Sequence, residues 1–122
     1  MNTIVFATRS DPSTATRAAD IQLLNDALRR NGEGGSVVMT HGIAALPASI
    51  REQLIGAMKS FDSFDGVNDP FAEHDFGTVR VGDVVALFKI DYYDERLERG
   101  SVDPADPNRT RRVLTLMLGS EY

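Results

Sequence analysis

The 122-residue chain contains no cysteine. That absence excludes disulfides, thiolate metal sites and thiol catalysis, and it fits a reducing cytoplasm. No apolar run approaches the ~20 residues that a membrane helix needs. The start, "MNTIVFATRS", has one short apolar patch with no basic stretch ahead of it, so neither a signal peptide nor a membrane role is expected. A further scarcity is local. From Phe61 to Gly77 there are five acids (Asp62, Asp65, Asp69, Glu73, Asp75) and neither lysine nor arginine. From Asp91 to Asp106 six more acids face only Arg96 and Arg99. Overall, 18 acids against 13 bases give a net charge of −5. Phosphate backbones are bound through lysine and arginine, so direct nucleic-acid binding is not expected. A basic partner or a cation suits such a surface.

What is present is an ordinary globular composition, 42% hydrophobic and 25% charged. The length suits one domain, 1–122, with its own core. Residues 1–10 read as an N-terminal extension, flexible or strand-like. Four of the five prolines (Pro12, Pro70, Pro104, Pro107) follow an aspartate. Asp-Pro marks helix starts and turns, because aspartate accepts from free backbone N–H groups and proline needs no partner for its own nitrogen.

The pattern "DPSTATRAADIQLLNDALRRNG" predicts a first helix capped by Asp11 and ended by Asn31-Gly32, with Ile21, Leu24 and Leu28 on one stripe. Arg29 and Arg30 suit the negative end of its dipole. Val37-Val38-Met39 predicts a short strand. A second helix is expected over about Pro47–Phe61, with Ile50, Leu54, Met58 and Phe61 on one face. Asp62 to about Glu73 reads as irregular. "FGTVRVGDVVALFKIDYYD" predicts a hairpin around a Gly82-Asp83 turn of type II′. Its second strand has one wholly apolar face, Val84, Ala86, Phe88, Ile90 and Tyr92. A third helix is expected from about Pro107, capped by Asp106, with Val113, Leu116 and Met117 on its apolar side. The order α-β-α-β-β-α predicts an α+β fold, a small antiparallel sheet of about three strands against about three helices.

The stretch "NDPFAEHDFG" gathers most of the chemistry. Asp69, Glu73, His74 and Asp75, with Asp91, make the residue set of a metal-dependent enzyme, but the spacing carries no metal signature. There is no HExxH helix. An EF-hand begun at Asp65 would place Val67 and Phe76 at ligand positions. A nuclease with an acid two residues before a catalytic lysine would need an acid where Leu87 stands. His74 beside Asp75 suggests acid/base work, yet neighbours on an extended segment point to opposite sides. No nucleophile elbow is present. Two non-catalytic readings remain. In one the loop is a structural clasp, with Glu73 and Asp75 accepting backbone N–H groups, Lys89 and Asp91 pairing with each other or across to Glu73, and at least one of Tyr92 and Tyr93 holding the loop down. In the other it is a binding surface for a basic protein, formed by Asp65, Asp69, Phe71, Glu73, His74, Asp75, Asp91, Tyr93 and Asp94.

The combination of "NDPFAEHDFG", "KIDYYD" and "DPADPNRTRRVLTLML", with "MTHGIAAL" and "LNDALR", resembles the bacterial family known as domain of unknown function 3768, over about residues 17–122. The resemblance implies a small protein of plasmids and integrated islands, and it brings no reaction and no catalytic residue. Two positions depart from the common pattern: Phe71 stands where a tyrosine is expected, and Phe88 where a tryptophan is. Charge, aromatics and this context together lead to the expectation of a small acidic cytoplasmic binding protein. It would act as an anti-defence or regulatory inhibitor of a basic nucleic-acid-handling protein. No cofactor, metal or catalytic residue is expected; the alternative is the metal-dependent enzyme above.

Overall fold

The computed structural model describes residues 12–122. Helix α1 (Pro12–Asn31) is followed by strand β1 (Ser36–Met39), the single turn α2 (His41–Ala44), helix α3 (Ala48–Ser60), and strands β2 (Phe76–Val81), β3 (Val84–Tyr93) and β4 (Arg111–Leu118). A 3₁₀ turn, Gly119–Glu121, follows. The expected α+β class holds. Asp11, expected to cap α1, and the extension 1–10 lie outside the described residues. At its other end α1 stops where predicted, with the Gly32 N–H returning to the Leu28 carbonyl at 2.8 Å. α3 begins after Pro47 and buries Leu54 and Met58, with Ile50 and Phe61 at the margin of the core.

The hairpin is in the expected register, Val81 opposite Val84. Gly82 has φ +59° and Asp83 is not among the left-handed residues, the φ pattern of a type II′ turn. On β3, Ala86, Phe88 and Ile90 are buried and Val84 and Tyr92 pack at the core's edge. Gly77 is required by close approach, since a Cβ there would lie 2.5 Å from the Phe88 ring. That ring meets Phe61 edge-on at 5.4 Å.

Two expectations are corrected at the C-terminus. Residues 111–118 are a strand, and the Asp106-Pro107 pair makes a turn. The Asp106 carboxylate accepts from the Asn108 N–H at 2.9 Å, and its carbonyl from the Arg109 N–H at 3.2 Å. Val113, Leu116 and Met117 fit a helical stripe, but the period that prevails is two. Leu114 and Leu116 point into the core, while Met117 is buried on the opposite face beside Leu87. A run buried on both faces fits a central strand equally well. Among the described residues the sheet therefore has four strands in the order β1-β4-β3-β2, and it is mixed, because β1 pairs with β4 in parallel.

α1 and α3 cover one face of this sheet, and the core of Leu28, Ile43, Leu54, Met58, Phe88, Leu114 and Leu116 lies between the layers. The chain end is stitched back. Glu121 accepts from the Thr40 hydroxyl at 2.6 Å, the Leu118 N–H at 2.8 Å and the Gly42 N–H at 3.2 Å. These bonds hold its carboxyl below the usual carboxylate range.

Leu114→Ala opens a cavity in the centre of the sheet and is expected to lower unfolding free energy by about 2–5 kcal/mol. Val67→Ala, at an exposed turn, should stay within about 0.5 kcal/mol. Denaturant titration of both variants checks the placement of β4, since a helix with Val113, Leu116 and Met117 inward would leave Leu114 at the surface.

Candidate functional site

The loop 62–75 crosses the end of the two-layer core, and α1 is what it fastens to. Ile21, Asn25, Leu28 and Arg29 are all buried, so the inward stripe of α1 contains an amide and a guanidinium. Arg29 does not serve its own helix dipole. One guanidinium nitrogen donates to the carbonyls of Met58 (3.0 Å), Lys59 (3.0 Å) and Phe61 (2.9 Å), satisfying the open C-terminus of α3. The other donates to Asp26 at 2.8 Å. The cation lies 5.3 Å from the Phe64 ring and 5.7 Å from the Phe88 ring.

Asp26 carries the linkage into the loop. The same carboxylate oxygen lies 2.9 Å from His74 Nδ1, which places a ring proton on that nitrogen. The imidazole stacks on Phe64 at 3.9 Å with 7° between planes. Asp69 is buried and accepts from two successive backbone N–H groups, Glu73 at 2.8 Å and His74 at 3.2 Å. Its other oxygen lies 3.9 Å from His74 Nε2. These bonds hold Ala72 and His74 in left-handed conformations, φ +57° and +59°, which cost a non-glycine residue about 1 kcal/mol or more each.

A second buried network holds Glu73. The Asn25 amide donates to the Glu73 carbonyl (3.0 Å) and the Tyr92 hydroxyl (2.8 Å), and the Tyr92 hydroxyl donates to the Glu73 carboxylate at 2.7 Å. Arg112, also buried, donates to the Asn25 side-chain oxygen at 2.6 Å and to the Pro104 carbonyl, with its guanidinium 5.0 Å from the Tyr92 ring. Burial and donation to Glu73 keep the Tyr92 phenol protonated. Burial lowers the Arg112 guanidinium from its ordinary value.

The expected site residues divide accordingly. Asp69, Glu73 and His74 turn inward, and Asp75 is half-buried among them. Burial first, then the charges of Glu73, Asp69 and Asp91, push the Asp75 carboxyl up to about 6. Asp91 pairs with Lys89. Asp65 caps its own turn at the N–H groups of Val67 and Asn68, 2.8 and 2.9 Å, and is held below its usual value by them. Asp94 likewise accepts from Arg96 and Glu98 within its own turn. Tyr93 lies opposite Arg111 on the sheet face away from Tyr92. Phe71 stands at the loop's tip, 75% exposed. Among the described residues no three His, Asp or Glu side chains converge to hold a metal ion.

Residues 39–121 match the family described as protein of unknown function (DUF3768). The chain belongs to that family. No curated protein and no solved structure matches it. The matched span contains the loop, the hairpin and β4, hence Glu73, Tyr92 and Arg112. The partners Asn25, Asp26 and Arg29 come from α1, ahead of that span.

Sequence reasoning missed Asn25, Asp26, Arg29 and Arg112. A signal was available for two of them, because Asn25 and Arg29 fall at helical spacing with Ile21 and Leu28. Arg29→Met leaves Asp26 and the α3 carbonyls without their donor, and it is expected to cost about 3–5 kcal/mol in denaturant titration. Asp75 gives a pH signature. Its carboxyl titrates near 3.8 when unfolded and at about 6 when folded, so the folded chain binds the extra proton. Stability from this group is full below about 4 and falls as pH rises through 6. Asp75→Asn should match wild type near pH 4 and exceed it by roughly 2 kcal/mol above pH 7. Equal stabilities across the range would refute the raised carboxyl.

Proposed function

We propose that this chain is a binding protein that presents the tip of the 62–75 loop to a basic protein partner. The observation that carries this reading is the exposure of Phe71 on a loop fastened from behind by Asp69, Asn25 and Gln22, the last donating to the Ala72 carbonyl at 3.1 Å. A pinned loop loses little conformational freedom on association, so burying its aromatic goes into affinity. Full burial of such a ring contributes about 1.5–3 kcal/mol. Asp62 and Asp65 are exposed in the same loop, and the net charge of −5 favours encounter with a basic surface. Proteins that handle nucleic acids carry such surfaces in their phosphate-binding grooves. Occupying one makes this chain an inhibitor, regulatory or anti-defence in effect, working in the cytoplasm.

Most of the acids first grouped as a surface are engaged within the fold, so the surface reading rests on Phe71, Asp62 and Asp65. Capture from host lysate on immobilised wild type, Phe71→Ala and an Asp62→Asn, Asp65→Asn double variant tests it. The partner should be held by wild type at low salt and released at high salt. Its affinity should fall tenfold or more with Phe71→Ala, at unchanged melting temperature. A partner retained equally by both variants would overturn the reading.

A further inference from the structure

β1 is the outermost strand of the sheet among the described residues. Its sequence, Ser36–Met39, has no lysine or proline, the devices that commonly blunt an edge. The Thr40 N–H donates to the Leu116 carbonyl at 3.1 Å. In a parallel ladder this directs the even-numbered residues toward β4 and turns the N–H and C=O groups of Val37 and Met39 outward. Their side chains share the helix side of the sheet with Leu114 and Leu116, yet they are 46% and 42% exposed. Next to them lies a groove of about 240 Å³, walled by Leu28, Ile55 and Met58 and rimmed by Lys59. A strand laid along β1 would point every second side chain into that groove.

Charge selects the occupant. Arg29 at the groove is neutralised by Asp26. Lys59 is exposed and has no ionic partner among the described residues. A second copy added about a two-fold axis would set another Lys59 on the same side of the joined sheet, like charge near like. The chain's own start, "MNTIVFATRS", offers no acid. We infer that β1 is an augmentation site for an extended segment of a partner protein. In that segment an apolar residue and an acidic residue share one strand face, the first filling the groove and the second meeting Lys59. This surface is separate from the 62–75 loop and does not rest on the function proposed for it.

The probe is a blocked peptide alternating threonine with valine and glutamate, so that valine and glutamate lie on one face, with a lysine-for-glutamate control. Titration by NMR should move the Val37 and Met39 amides and slow their hydrogen exchange. The glutamate peptide should bind at least tenfold more tightly than its control at low salt, and Lys59→Glu should reverse the preference. Equal binding of the two peptides, or shifts confined to other surfaces, would overturn the inference. So would Val37 and Met39 amides already protected in the free chain. With a monomer mass in sedimentation the edge would be held by the chain itself, and with a dimer mass by a second copy.

Discussion

The Arg29 guanidinium has no solvent contact, and a buried cation is tolerable only where acceptors and a counter-charge surround it. Here they come from two parts of the chain: Asp26 one turn away on α1, and the carbonyls of Met58, Lys59 and Phe61 as α3 ends. Only its Nε lacks a partner, with the rings of Phe64 and Phe88 nearby. The angle at which α1 meets α3 is thereby fixed by hydrogen-bond directions as well as by apolar packing, which has no direction of its own. Asp26, oriented by Arg29, receives His74, so the loop inherits its position from the same cation.

Arg112 repeats this arrangement from the sheet side through Asn25. The two arginines enter from opposite layers, and the loop backbone between Asp69 and His74 closes over the helix that joins them. Such networks are costly when partly satisfied and specifying when complete. Here the left-handed residues Ala72 and His74 show how far the loop backbone bends to complete one. Function, in this reading, lies with what the network leaves outside, the tip at Phe71.

Much of the scaffold was legible in the sequence because its elements obey one period each. The α3 stripe, the end of α1 at Asn31 and the Gly82-Asp83 hairpin follow from spacing and turn chemistry. β4 was not legible, because "RRVLTLML" offers apolar residues at both periods and only its neighbours β1 and β3 decide between them. The candidate site was half legible. The loop and its clasp by Tyr92 could be argued from residue types. The burial of Asn25, Arg29 and Arg112 could not, since polar residues on a helix or strand are ordinarily taken as its wet side.

The parallel pairing of β1 with β4 has a consequence in time. β1 spans Ser36–Met39, and its sheet neighbour among the described residues, β4, spans Arg111–Leu118, with Ser36 opposite Val113. During synthesis, strand β1 therefore waits for its partner until residues 111–118 have emerged. Non-local pairing of this kind is slow to form and exposed to wrong partners meanwhile. The sheet cannot be completed in stages from the N-terminus. Among the described residues, β1 has no strand to pair with until β4 is present.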